Sequence, residues 1–210
     1  MADPQAHPPL RGLVLAGGQS LRMGVDKASL LVGGRTLLAR SVGVLQPLVI
    51  AVHVGVRADQ ASDELRRRFA VIVDRPGMAG PAASLAAAWH HDPGCAWLVL
   101  ACDMPAADHR LLEALVAARD PARGGTAWRG TEGDLPEPLC AIWEPATLAR
   151  LAAAAGEAGE GPRSSSVSPR ALLAAADPLL LNPARPGALH SVNTPADLHR
   201  YLEHTHGHKP

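Results

Sequence analysis

Leu13-Val14-Leu15-Ala16-Gly17-Gly18-Gln19-Ser20-Leu21-Arg22-Met23-Gly24-Val25-Asp26-Lys27 is the stretch that decides how this chain is read. A short, wholly apolar run has the character of a buried strand, and it feeds at once into a polar loop carrying three glycines, a hydroxyl and two cations. Glycines let a backbone come close to a phosphate and turn successive N–H groups toward it, while Arg22 and Lys27 add charge that amides cannot supply. The loop reads as a polyphosphate cradle. Its spacing matches neither Gly-x-Gly-x-x-Gly nor the Gly-Lys-Ser/Thr ending of a Walker loop. The plain alternative is a tight turn with solvated cations, but a position straight after the first strand favours phosphate.

Outward from this loop, short apolar runs alternate with helical periodicity, the pattern of strands joined by crossover helices in a mostly parallel sheet. Thr36 is placed to cap a helix bearing Leu37, Leu38, Val42 and Leu45, which stops before Pro47. Val49 to Val54 is expected as a second strand, Gln60 to Arg68 as a charged helix, and Val71 to Val73 as a third strand ending at Asp74. Ser84 to Trp89 reads as a helix, Trp97 to Ala101 as a fourth strand ending just before Asp103, and Asp108 to Ala118 as a well-capped helix. Beyond Pro121, Leu139 to Trp143 reads as a strand and Pro145 to Ala155 as a helix opened by proline. Gly156 to Ser168 has the composition of a mobile loop, and too little chain follows it for a second core. One domain over residues 10–203 is expected, with flexible ends at 1–9 and 204–210.

Composition narrows the function. A chain of 210 residues buries well over half of its unfolded surface, so it needs no metal or disulfide staple. Its 20 basic and 20 acidic side chains cancel, leaving no long-range field for polyanions and arguing against a nucleic-acid binder. With only 3% aromatics, the core must be filled by Leu, Val and Ala. Apolar runs fall short of the roughly 20 residues a bilayer span needs, so no membrane association and a cytoplasmic location are expected. Cys95, Cys102 and Cys140 have no paired spacing and fit a reduced protein. His199, His204, His206 and His208 read as a frayed end rather than a metal cluster, because no cysteine or carboxylate cage accompanies them.

In an open parallel sheet, ligands bind outside the carboxyl ends of the strands, so Asp74 and Asp103 should face the same crevice as the first loop. Asp103 is the better metal candidate, since Mg²⁺ is usually held by one or two carboxylates together with substrate phosphates. Cys102 has no histidine placed by sequence to activate it and reads as a buried spacer. Pro76 to Ser84 is either a glycine-rich lid over a base or ribose, or a plain strand-to-helix connection. Asn193 either faces an acceptor or, with Thr194 and Pro195, starts a helix.

Four motifs taken together resemble the molybdenum cofactor guanylyltransferases, the MobA-type branch of the nucleotidyltransferases. They are Leu15-Ala16-Gly17-Gly18-x-Ser20-x-Arg22-Met23-Gly24-x-Asp26-Lys27; Asp74 with Gly80-Pro81; Ala101-Cys102-Asp103-Met104-Pro105; and Val192-Asn193-Thr194-Pro195-x-Asp197-Leu198. The resemblance runs from Leu13 to Leu198, and its Ala-Gly-Gly form looks more like the guanylyl branch than the cytidylyl branch. It implies a Rossmann-like three-layer α/β/α fold and transfer of GMP from GTP to a molybdopterin-type phosphate, with Mg²⁺ as cofactor and release of pyrophosphate. Molybdoenzymes or cofactor-insertion proteins are the implied protein partners.

Carried onto this sequence, Leu15, Ala16, Gly17, Gly18, Ser20, Gly80 and Pro81 would contact the nucleotide and Asp74 its nucleoside. Lys27 would hold its phosphates and Asp103 the metal, with Arg22 read from the loop itself as the second cation on the leaving group and Asn193 open between the acceptor and a helix start. Two positions depart from the family pattern. An Asn often closes the family's second strand where this chain has Val52-His53-Val54-Gly55-Val56, and the family's Gly-Pro-Leu-Ala-Gly is Gly80-Pro81-Ala82-Ala83-Ser84 here. Both bear on the nucleobase, so a cytidylyl- or sugar-phosphate nucleotidyltransferase using CTP or UTP is the competing enzyme reading. A non-catalytic nucleotide-binding accessory protein is the third.

Overall fold

The structure is a computed structural model that describes residues 7–18, 23–130, 133–157 and 167–206. Strand β1 (Leu10–Leu15) opens it, followed by a small hairpin, β2 (Leu31–Val32) and β3 (Arg35–Thr36), then α1 (Leu37–Leu45), β4 (Val52–Val56) and β5 (Val71–Val73). Helix α2 (Pro81–His91), β6 (Ala96–Ala101), α3 (His109–Ala117), β7 (Gly125–Arg129), β8 (Pro136–Trp143) and α4 (Pro145–Glu157) come next. The described chain closes with α5 (Pro169–Ala174), β9 (Leu179–Leu181) and α6 (Pro195–His206).

Seven of these strands form one sheet in the order β5-β4-β1-β6-β8-β7-β9. The first four are parallel, and β8 runs antiparallel to both β6 and β7. The expected mostly parallel, three-layer α/β/α architecture is what forms. One face packs Val14, Val54, Leu98 and Leu100 against Leu38 and Leu45 of α1 and Leu112 and Leu115 of α3. The other packs Leu13, Trp97, Val99 and Trp143 against Leu85 of α2, Leu148 and Leu151 of α4 and Leu173 of α5. Central strand β6 is buried at all six positions, so its near-continuous apolar run is what a strand covered on both faces requires.

Thr36 caps α1 by accepting from the Ala39 N–H, and Asp108 caps α3 by accepting from Leu111. Several boundaries differ from the sequence reading. The second sheet strand is Val52–Val56 rather than Val49 to Val54, because a turn of 3-10 helix around Pro47 uses the chain up to Leu48 and the pairing continues through Val56 opposite Val73. Gln60 to Arg68 is not one helix. It splits into 3-10 turns at Ala58–Gln60 and Arg66–Arg68, because the Asp63 side chain accepts from the Arg66 N–H and offers the backbone an alternative to helix. Helix α2 begins at Pro81, three residues earlier than expected, with Gly80 in the left-handed region and proline at the first helical position. Helix α6 runs on to His206, past the expected start of a tail at 204. At the other end, the carbonyls of Pro8 and Pro9 accept from Arg119 and Ala96. The 156–168 segment and the last four residues fall mostly outside the described residues, and no described helix is long and apolar enough to cross a membrane.

Away from the loop end of the sheet, His53 at the start of β4 is 8% exposed and meets His91 in a tilted contact and Trp97 edge to face, with ring centroids 4.7 and 5.5 Å away. Burial, with His91 and Arg11 nearby, pushes its pKa below the ordinary histidine value, and Asp92 only partly opposes this. The unfolded chain therefore binds this proton more readily than the native state does, so stability falls as pH drops through the unfolded value near 6.5. The melting temperature should decline between about pH 7 and about pH 5. His53→Leu should flatten that decline, and an unchanged slope would remove His53 as its source.

Candidate active site

Four consecutive strand tips and the start of β8 enclose a cavity of about 380 Å³. That is a size usual for small-molecule sites. The parallel run brings the residues after β5, β4, β1 and β6 to the same sheet end. The antiparallel register of β8, with Cys140 opposite Leu100, delivers Leu139 there as well. Of the residues singled out from sequence, Leu15, Ala16, Gly17, Gly18, Lys27, Asp74, Gly80, Pro81, Asp103 and Asn193 all line this cavity. Ser20 and Arg22 lie outside the described residues.

At its centre, Lys27 Nζ donates to Asp103 Oδ2 at 3.0 Å and to Asn193 Oδ1 at 2.6 Å. Three elements hold this trio. Asp26 caps the 3-10 turn Lys27–Ser29, and the Asp103 carbonyl accepts from Val192 at 2.8 Å. Thr194 and Asp197 cap α6 reciprocally: the Asp197 carboxylate accepts from the Asn193 and Thr194 N–H groups, and Thr194 Oγ1 accepts from Asp197 N. Because Thr194 does the capping, the Asn193 amide is left to face Lys27.

Asp74 sits at the tip of β5, where burial raises its pKa. A hydrogen bond donated by Ser84 to Oδ1 and the nearby Arg57 act in the opposite sense. Gly17 lies beside this carboxylate, its Cβ position 3.4 Å from Asp74 Oδ2. The Pro76 to Ser84 segment connects strand to helix and also lines the site, through Gly80, Pro81 and Ser84. Burial, with Asp103 adjoining, pushes the Cys102 thiol up to about 12, which leaves it inert as a nucleophile.

Sequence reasoning missed Arg57, Arg66 and Ser84. Arg57 lines the cavity and donates from Nη1 to the Gly17 carbonyl at 2.6 Å, while it is paired with Asp59. Arg66, only 2% exposed, donates from Nε and Nη2 to the Ala16 carbonyl and grips Asp26 through two N–H groups at 2.7 and 3.0 Å. The one available signal for Arg66 was its place in Arg66-Arg67-Arg68, where periodicity gives no means of telling the buried member from the solvated ones. Among the described residues no group of three or more His, Cys, Asp and Glu side chains is placed to hold a metal.

An open, largely parallel sheet with a glycine loop and an acid at adjoining strand tips defines an α/β protein of the nucleotide-binding kind. The MobA-like NTP transferase domain matches residues 12–179, and the chain belongs to that family. A probable molybdenum cofactor guanylyltransferase of Natronomonas pharaonis is 33% identical over 201 residues, 91% of this chain and 96% of that protein. A molybdenum cofactor biosynthesis bifunctional protein of Synechocystis is 31% identical over 140 residues, 67% of this chain. The match spans only 40% of that longer protein. Among solved structures, molybdopterin-guanine dinucleotide biosynthesis protein A from Archaeoglobus fulgidus superposes with a TM-score of 0.73 at 21% identity, covering 94% of this chain and 99% of that one, which shows the shared fold.

Proposed function

We propose that this protein transfers GMP from GTP to a molybdopterin-type phosphate, forming a guanine dinucleotide cofactor and releasing pyrophosphate. The observation that carries the reading is the meeting of Lys27, Asp103 and Asn193 in a cavity shared with the glycine loop and Asp74. Membership of the MobA-like family and the names of its relatives support the choice of reaction. Molybdoenzymes or cofactor-insertion proteins would receive the product, and three free, buried cysteines suit the reducing cytoplasm.

The donor set fits a hard divalent cation. Asp103 Oδ2 and Asn193 Oδ1 are oxygen donors that already converge on one positive charge, the Lys27 ammonium. Mg²⁺ bound by Asp103 would supply positive charge at the α-phosphate. Lys27, with Arg22 as the second cation, holds the β- and γ-phosphates and stabilises the departing pyrophosphate. Asp74 receives the nucleoside, and Asn193 faces the acceptor side. No side chain has to act as a base, because the attacking phosphate is already ionised near neutral pH. Alignment with the α-phosphorus is what these residues contribute.

One observation favours keeping a second reading of the base. The two segments that depart from the family pattern meet, since a Cβ on Gly55 would lie 2.9 Å from Ser84 Cβ. Calorimetric titration of the four nucleoside triphosphates with Mg²⁺ should rank GTP first, and tighter binding of CTP or UTP would end the guanylyl assignment. Pyrophosphate release from GTP and molybdopterin separates an enzyme from a binding protein, which would release none.

A further inference from the structure

The glycine loop is backed by a segment that no motif marks. Three side chains following β4 reach back to three successive carbonyls of that loop. Arg66 Nη2 donates to Ala16 O at 2.9 Å, Arg57 Nη1 to Gly17 O at 2.6 Å, and Gln60 Nε2 to Gly18 O at 3.5 Å. A trans peptide is planar, with its C=O and the following N–H on opposite sides. Drawing the Ala16 and Gly17 carbonyls outward therefore turns the Gly17 and Gly18 N–H groups inward, toward the cavity both residues line. Among the described residues neither of these N–H groups has a partner within the protein. Two adjacent inward N–H groups make a concavity suited to an anion.

Arg66 does more than fill a hole. Its guanidinium bonds Ala16 where the loop begins and Asp26 where it ends, and Asp26 in turn caps the turn that carries Lys27. A second carboxylate, Asp63, holds the same guanidinium at 3.1 Å. Arg66 is absent from the cavity lining, so whatever it does for a ligand it does through the loop.

We propose that Arg66 and Arg57, aided by Gln60, are positioning residues that set the polarity of the phosphate loop, pulling its carbonyls back so that the Gly17 and Gly18 amides face the polyphosphate of the nucleotide. The inference rests on reading the loop as a phosphate cradle and adds what orients it. Lysine at position 66 keeps the charge but lacks the planar fork needed to span Ala16 O and both Asp26 oxygens.

The test follows the backbone amides of ¹⁵N-labelled full-length protein during titration with inorganic tripolyphosphate, and separately with guanosine. In the wild type the Gly17 and Gly18 signals should move with tripolyphosphate. In Arg66→Lys, tripolyphosphate should bind about tenfold more weakly, the loss expected when charge-assisted donors are misaligned, with guanosine affinity held within about twofold. If Arg66→Lys fails to fold, Asp63→Ala, which removes a carboxylate from the Arg66 guanidinium at a site outside the cavity lining, should show the same selective loss. Silent glycine amides in the wild type, unchanged tripolyphosphate binding in the folded variant, or equal losses for tripolyphosphate and guanosine would each overturn the proposal. Tripolyphosphate has no base, so a protein that prefers CTP still passes. Wild-type GTP turnover with silent amides would sink this inference alone.

Discussion

Lys27→Ala should bind GTP about 10- to 100-fold more weakly, while its affinity for guanosine stays close to that of the wild type. The magnitude follows from losing a charge-assisted hydrogen bond to phosphate, worth about 1.5 to 3 kcal/mol, at about 1.4 kcal/mol per tenfold. The selectivity follows from geometry. Lys27 Nζ lies 3.0 Å from Asp103 and 2.6 Å from Asn193, whereas Asp74, the residue assigned to the nucleoside, is held by Ser84 at the tip of β5. Two strand tips, those of β4 and β1, separate β5 from the tip of β6 that carries Asp103. Calorimetric titration with GTP, GMP and guanosine measures the effect, which should grow with the number of phosphates. Equal losses for GTP and guanosine would show that Lys27 organises the cavity as a whole and does not grip phosphate.

Much of this site was legible in the sequence because its residues sit at strand tips, and strand tips follow from local pattern. Leu13 to Leu15 and Trp97 to Ala101 are apolar runs that need no partner to be recognised, and the parallel-sheet rule then places Gly17, Asp74 and Asp103 together. Asn193 was half legible. Its role depended on whether it or Thr194 caps α6, and the reciprocal bonding of Thr194 and Asp197 decides that. Arg57 and Arg66 were not legible, since their partners lie 40 and 50 positions away and no periodicity encodes a pairing at that distance. An arginine in a charged stretch is ordinarily solvated. Arg66 is buried because two aspartates and a carbonyl together replace its water.

The far side of the sheet was hidden for a different reason. Gly125–Arg129 and Leu179–Leu181 are short and carry no clear alternation, and β7 pairs antiparallel with β8 on one side and parallel with β9 on the other. Such strands acquire their identity from neighbours. A Cβ on Gly125 would meet the Ile142 carbonyl at 2.5 Å, so the glycine that weakens the local strand signal is what admits β8 at close range. The cavity is little affected by this gap, because its strand tips are those of β5, β4, β1 and β6, and of these the sequence revealed all but the tip of β4, whose end it placed two residues early.

Asp103→Asn should leave the melting temperature near that of the wild type and lower kcat for pyrophosphate release on the order of a thousandfold. The substitution keeps size and shape, and an amide oxygen can still accept from Lys27 Nζ, so the trio with Asn193 has no steric reason to disperse. What disappears is one negative charge at the centre of the site. If that carboxylate anchors Mg²⁺, its loss removes several kcal/mol of transition-state stabilisation, and about 1.4 kcal/mol is tenfold in rate. Two measurements make the result specific. The Mg²⁺ concentration giving half-maximal rate should rise in the variant, and GTP affinity measured without metal should hold or improve, since a carboxylate repels triphosphate. A variant that turns over at close to the normal rate would reduce Asp103 to a partner of Lys27, and the metal would then have to be anchored elsewhere.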